Sequence, residues 1–157
     1  MSTNVMLGEG HTPSDSLTSI SLLIYRTRSG QPELLVRSKP SDSIPTYSTP
    51  YRDLDRGQNA INCAQRIGVD SLGILIPEDS LDYQMSAVIT NLGEAVRIRV
   101  FAVQATSQMQ DIARCDTWRG WKYEFIPVSS LDCVYLHPDI GATTAPLREL
   151  VRTPRGH

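Results

Sequence analysis

A chain of 157 residues with a formal charge of -2 and a pI near 5.9 fits one compact domain, and its charge gives no sign of a nucleic-acid or anionic-membrane surface. Its cysteines, Cys63, Cys115 and Cys133, are odd in number and contain no CxxC, which argues for a reducing compartment and against a zinc site. No apolar run approaches the roughly 18 residues of a membrane-spanning helix, and the N-terminus lacks a basic region followed by an apolar core, so a cytoplasmic location is expected.

Met1 to Leu17 is rich in Gly, Ser, Thr and Asp and reads as a flexible or loosely docked arm; residues 18–157 read as a single domain. Ser19–Tyr25 is a near-continuous apolar run, the pattern of a buried strand. The turn signal Ser29-Gly30 then leads to Glu33–Arg37, predicting a hairpin. Lys39–Pro50 is rich in Pro and Ser and reads as an irregular loop. Asn59–Leu72 carries Ala60, Ile61, Ala64, Ile67, Gly68 and Leu72 near one face of a helix, and Gly68 within it implies close packing. Tyr83–Thr90 and Glu94–Ala105, joined through Asn91 to Gly93, predict a second hairpin. In the latter strand Val96, Ile98, Val100 and Ala102 alternate with Arg97, Arg99, Phe101 and Val103. A short helix at Gln108–Cys115, a strand at Trp121–Pro127, a turn from Ser129 and a terminal helix at Thr144–Val151 complete the order. These elements predict an α+β sandwich, a mixed β-sheet with helices on its faces.

The stretch from Pro50 to Ile74, with this element order around it, resembles the Nudix family. The family's box reads G-x5-E-x7-R-E-U-x-E-E-x-G-U, where U is aliphatic. With its last glycine on Gly73, Ile74 matches the final aliphatic, Arg66 the arginine, and Gly57 the glycine that precedes the first glutamate. Pro50 and Ala64 also fit family positions, and Trp121 to Leu131 resembles the late strand and turn. The resemblance implies a Nudix-like α/β/α sandwich over roughly Ser19 to Val151. It also exposes departures. Tyr51-Arg52 stands at the double glycine, Gln58 at the first glutamate, Ile67 at the glutamate after the arginine, and Asp70-Ser71 at the paired glutamates. Family hydrolases need several oxygens around Mg²⁺ to polarise a diphosphate and activate water. One aspartate does not supply them, so no metal and no cofactor is expected.

Candidate site residues follow from this alignment. Asp53, Asp55 and Asp70 are the carboxylates expected near the cleft; one of them, desolvated beside Ile67, would gain a raised pKa and serve as general acid or base. The candidate ligand-binding set is Arg37, Tyr47, Tyr51, Arg52, Gln58, Cys63, Arg66 and Ile67. Arg37 follows a strand and would reach an anionic group. Tyr47, Tyr51 and Arg52 border the cleft, where loops gather ligand contacts. Ile67 and Cys63 share a helical face that is either core or an apolar cleft floor. Arg66 is expected to pair with Asp53 or Asp55. Trp118 and Trp121 read as packing residues that would stack on a ligand if at the cleft edge, and His137 as a turn residue.

The expected function is a repurposed, metal-independent acid–base enzyme of isomerase, cyclase or hydrolase type, acting on a small, partly apolar molecule in specialised biosynthesis. A non-catalytic ligand- or protein-binding module is the alternative. The third is a divergent diphosphohydrolase that gathers metal ligands from Asp70 with Asp53, Asp55 or Asp111. The partner expected is a small-molecule ligand or substrate, without nucleic acid or membrane; a homodimer is compatible with the sequence.

Overall fold

The computed structural model describes residues 4–7, 17–91, 94–133 and 135–136. The strands are β1 (Asn4–Leu7), β2 (Leu17–Arg28), β3 (Gln31–Ser38), β4 (Thr46–Tyr47), β5 (Tyr51–Asp53), β6 (Asp82–Asn91), β7 (Glu94–Gln104), β8 (Lys122–Pro127) and β9 (Tyr135–Leu136). The α-helices are α1 (Ala60–Ile67) and α2 (Ser107–Ile112). The main sheet runs β1-β6-β7-β2-β3-β8, with β5 also on β2. It is mixed: β2 and β7 are parallel, and the other pairs are antiparallel. A separate parallel pair joins β4 to β9.

The apolar run of β2 has a simple cause. Its sheet is covered on both faces, so neither face can be polar. Ile20, Leu22 and Ile24 pack with Leu35, Phe101 and Val103 beneath α1 and α2, which contribute Ala60, Cys63, Ala64, Ile67, Met109 and Ile112. Leu23, Leu34, Val36, Ile98, Val100 and Ala102 face the other way, under Val128 and Leu131 of a 3-10 turn (Val128–Cys133). The expected alternation along β7 matches these two faces. The buried hydroxyls of β2 are satisfied: Ser21 Oγ lies 2.9 Å from Thr49 Oγ1, and Ser19 Oγ donates to Asp53 Oδ1 at 2.7 Å.

Both tight turns follow from local chemistry. Ser29 (φ 52°) and Gly30 (φ 76°) link Arg28 to its partner Gln31, and Arg119 (φ 51°) and Gly120 (φ 85°) link the bridged residues Trp118 and Trp121. Successive positive φ values give the twist that two-residue hairpins need.

Several expectations change. The predicted helix begins as expected, capped by Asn59, but after Ile67 it widens into a π turn over Gly68–Leu72. Within the stretch read as an arm, Asn4–Leu7 pairs with β6, and Leu17 already belongs to β2. The expected irregular loop contains β4, and β5 follows it; both are short and rely on distant partners. The expected helix at Thr144–Val151, and His137, lie outside the described residues.

Candidate functional site

The site begins where the sheet splits. The first part of β2, Ser19 to Ser21, pairs with β5, whereas Tyr25 to Arg28 pairs with β3 on the same side. The wedge between them is filled by the segment before β5. Leu22 N–H donates to Pro50 O at 3.0 Å, and Arg37 and Ser48 exchange backbone bonds of 2.8 and 2.9 Å. This split brings the end of β3, β5 and the C-terminal end of α1 together.

The side chains between Arg52 and Asp70 are engaged by contacts within the protein. Arg52 Nη1 lies 2.7 Å from Asp70 Oδ2, and Arg66 Nε lies 3.5 Å from the same oxygen. Arg66 therefore pairs with Asp70 and not with Asp53 or Asp55, because it stands one helical turn before Asp70 on the outer face. Asp53 is exposed and accepts from Ser19. Asp55 is exposed, and its backbone N–H donates to Gln58 Oε1 at 3.2 Å. Gln58 thus helps to close the turn before α1, where Gly57 has a φ of 80°. None of the three aspartates is buried.

Ile67 and Cys63 are 1% and 0% exposed in the core beneath α1, so of the two readings of this helical face the structure takes core over cleft floor. Burial pushes the Cys63 thiol up; the Arg52 charge offsets part of this, while Asp55 and Asp53 add to it. A buried, protonated thiol is a poor nucleophile. Tyr47 donates to Glu124 Oε2 across 3.4 Å, and its phenol is raised first by desolvation and then by that carboxylate.

The described residues offer a divalent cation few donors here. Asp70 is held by two guanidinium groups, Ile67 offers hydrocarbon, and no group of three His, Cys, Asp or Glu among the described residues has metal-ligating geometry. The carbonyls at the end of the helical segment are also engaged. Trp118 Nε1 donates to Leu72 O (3.2 Å), Arg119 Nη1 to Asp70 O (3.2 Å) and Val69 O (3.4 Å), and Tyr123 Oη to Ser71 O (3.3 Å). A cation at this end complements the helix dipole.

Beside this network lies an aromatic and cationic cluster. The Arg37 guanidinium carbon sits 4.2 Å from the centre of the Trp121 ring and 6.0 Å from that of Tyr51, and Lys39 Nζ is 5.3 Å from the Trp121 ring. Arg37 Nη1 lies 3.4 Å from Tyr123 Oη. Of the expected ligand-binding set, Arg37, Tyr51 and Arg52 border this region, Arg66 lies on the outer face of α1, and Tyr47 packs with the opposite core. Trp118 and Trp121 pack against the core beneath α1 as expected, and Trp121 also carries the Arg37 guanidinium; sequence reasoning does not single out Arg119. The Arg119-Gly120 pair was the available signal, since a two-residue turn there orients both tryptophans.

A cavity of about 490 Å³ lies elsewhere, lined by Arg26, Arg28, Gln110, Arg114, Glu124 and Phe125 among others. Two of its cations are already paired, Arg26 with Glu33 at 2.7 Å and Arg114 with Asp111 at 3.4 Å. That makes it a weaker anion site than its size suggests. No helix among the described residues is long and apolar enough to cross a membrane.

No protein-family model and no curated protein sequence matches the chain. Solved structures do. The NUDIX domain of NrtR from Shewanella oneidensis, complexed with ADP ribose, superposes with a TM-score of 0.62 at 8% identity, over 87% of this chain and 88% of that one. A NUDIX hydrolase from Nitrosomonas europaea gives 0.62 at 13% identity, over 86% and 90%. An Ap4A hydrolase from C. elegans gives 0.57 at 15% identity, over 88% and 98%. Identities this low establish likeness of architecture and not of activity. The mixed sheet split at β2, the loop–helix junction after β5 and these superpositions together show that the chain has the Nudix fold.

Proposed function

We propose that this Nudix-fold chain binds a small molecule and does not carry out metal-dependent diphosphate hydrolysis. One observation carries the reading: Asp70, the one acidic residue at the glutamate positions of the box, is paired with Arg52 at 2.7 Å and Arg66 at 3.5 Å. Both guanidinium groups meet the same oxygen, Oδ2, which leaves one carboxylate oxygen here for a hard cation that needs several. The acid–base enzyme reading ranks below it, because it requires a desolvated carboxylate, whereas Asp53 and Asp55 are exposed and the Asp70 side chain is 49% exposed. The NrtR domain, which shares the architecture, was solved with ADP ribose. A nucleoside diphosphate sugar is therefore the first ligand to try.

The test is incubation of the purified protein with ADP-ribose and with a dinucleoside tetraphosphate, with and without Mg²⁺ or Mn²⁺, followed by phosphorus NMR. The expected result is no metal-stimulated turnover. Robust turnover that Asp70→Asn abolishes would overturn the proposal.

A further inference from the structure

Arg37 is the one feature of the cluster that the fold does not explain. It is 7% exposed, yet its Nε is buried without a hydrogen-bond partner among the described residues. Its described side-chain hydrogen bond is the long 3.4 Å contact with Tyr123 Oη. No described carboxylate lies within ion-pair distance of it, and the nearby Lys39 shares its Trp121 ring, adding charge of the same sign. A buried guanidinium without a counter-ion is costly, and an apolar side chain at this position would avoid that cost.

The surroundings hold Arg37 in place. Its backbone pairs with Tyr123 on β8 on one side and with Ser48 on the other. Its guanidinium stacks on Trp121 at 4.2 Å. Stacking covers the face of a guanidinium and leaves its N–H donors in the plane, where a planar oxyanion is met edge-on. Tyr51, whose ring centre lies 6.0 Å from the guanidinium, is 42% exposed.

We infer that Arg37 is an oxyanion receptor: its Nε–H edge receives the carboxylate or phosphate of the ligand, Trp121 is the platform, and Tyr51 moves to admit the anion. This rests on the binding reading above and adds the chemical class of the group recognised. It assigns specificity to β3 and β8, outside the box.

The test is a titration of the isotopically labelled full chain, without metal, with inorganic pyrophosphate and separately with citrate, following the Arg37 Nε–H and Trp121 indole N–H resonances by NMR. A saturable shift of both resonances with either probe supports the inference, and the effective probe distinguishes phosphate from carboxylate. Arg37→Lys keeps the charge but not the planar edge; it is expected to bind about tenfold more weakly while its amide spectrum shows it still folded. An Arg37 Nε–H that neither probe moves overturns the inference, as does undiminished binding in Arg37→Lys. Metal-dependent turnover would sink the reading of the previous section and leave this titration standing, whereas a silent titration without turnover sinks this one alone.

Discussion

Gly68 shows how one absent methyl group sets the geometry beside the site. A Cβ there would lie 2.7 Å from Ile74 O and 2.9 Å from Ile76 Cδ1. The first neighbour is backbone and cannot swing aside. Alanine would gain about 1 kcal/mol of helix propensity, but overpacking costs about 1–3 kcal/mol. Gly68→Ala is therefore expected to lose roughly 1 kcal/mol net, read as a lower urea midpoint; a raised midpoint would show that the junction relaxes freely. The close packing at Gly68 was legible, because a glycine on an apolar helical face has few other causes. The partner of Arg66 was not. Three aspartates lie within reach in sequence, and only geometry shows that Arg52 and Arg66 converge on Asp70.

At the scale of the element, α1 is a short helix that leans on its ends. Asn59 Oδ1 accepts from Ile61 N–H at 2.8 Å and from Asn62 N–H at 3.3 Å. At the far end, the π turn closes on Gly73 (φ 73°), with Gly73 N–H to Val69 O at 3.0 Å and Ile74 N–H to Gly68 O at 3.1 Å. A helix of 8 residues nucleates poorly without such help. Asn59→Ala should cost about 1 kcal/mol, whereas Asn59→Gly should cost only a few tenths, both measured by denaturant unfolding. Equal losses would mean that the side chain does something other than cap. Helix and hairpins could be read from the sequence because periodicity and turn residues are local. The short strands β1, β4 and β5 could not, since their hydrogen bonds are made to residues far along the chain. Trp121 belongs with them: its role depends on Arg37, which reaches it across the β3–β8 pair.

For the whole molecule, architecture was readable and chemistry only partly so. The apolar pattern of β2 and the turn and helix signals between Pro50 and Ile74 specify how loop, helix and sheet meet, whereas Arg52, Gln58 and Ile67 acquire meaning only through their partners. The same junction predicts how stability responds to alkali. Cys63 lies in the core between α1 and β2, and β2 bonds to β3, β5 and β7, so its environment is coupled to the sheet as a whole. Burial raises its thiol pKa, Arg52 lowers it in part, and Asp55 and Asp53 raise it further. The native state then keeps a proton that the unfolded chain releases. Its contribution is fully present below about pH 8.5, the ordinary thiol value, and is lost as pH rises through the folded value. Tyr47, raised by burial and by Glu124, adds a fall of the same sign above about pH 10. Urea unfolding across this range should show a declining midpoint in the native sequence. In Cys63→Ala the first part of the decline should flatten, although the whole curve lies lower because a core atom is gone. A decline as steep in Cys63→Ala as in the native chain would assign the alkaline loss to another group.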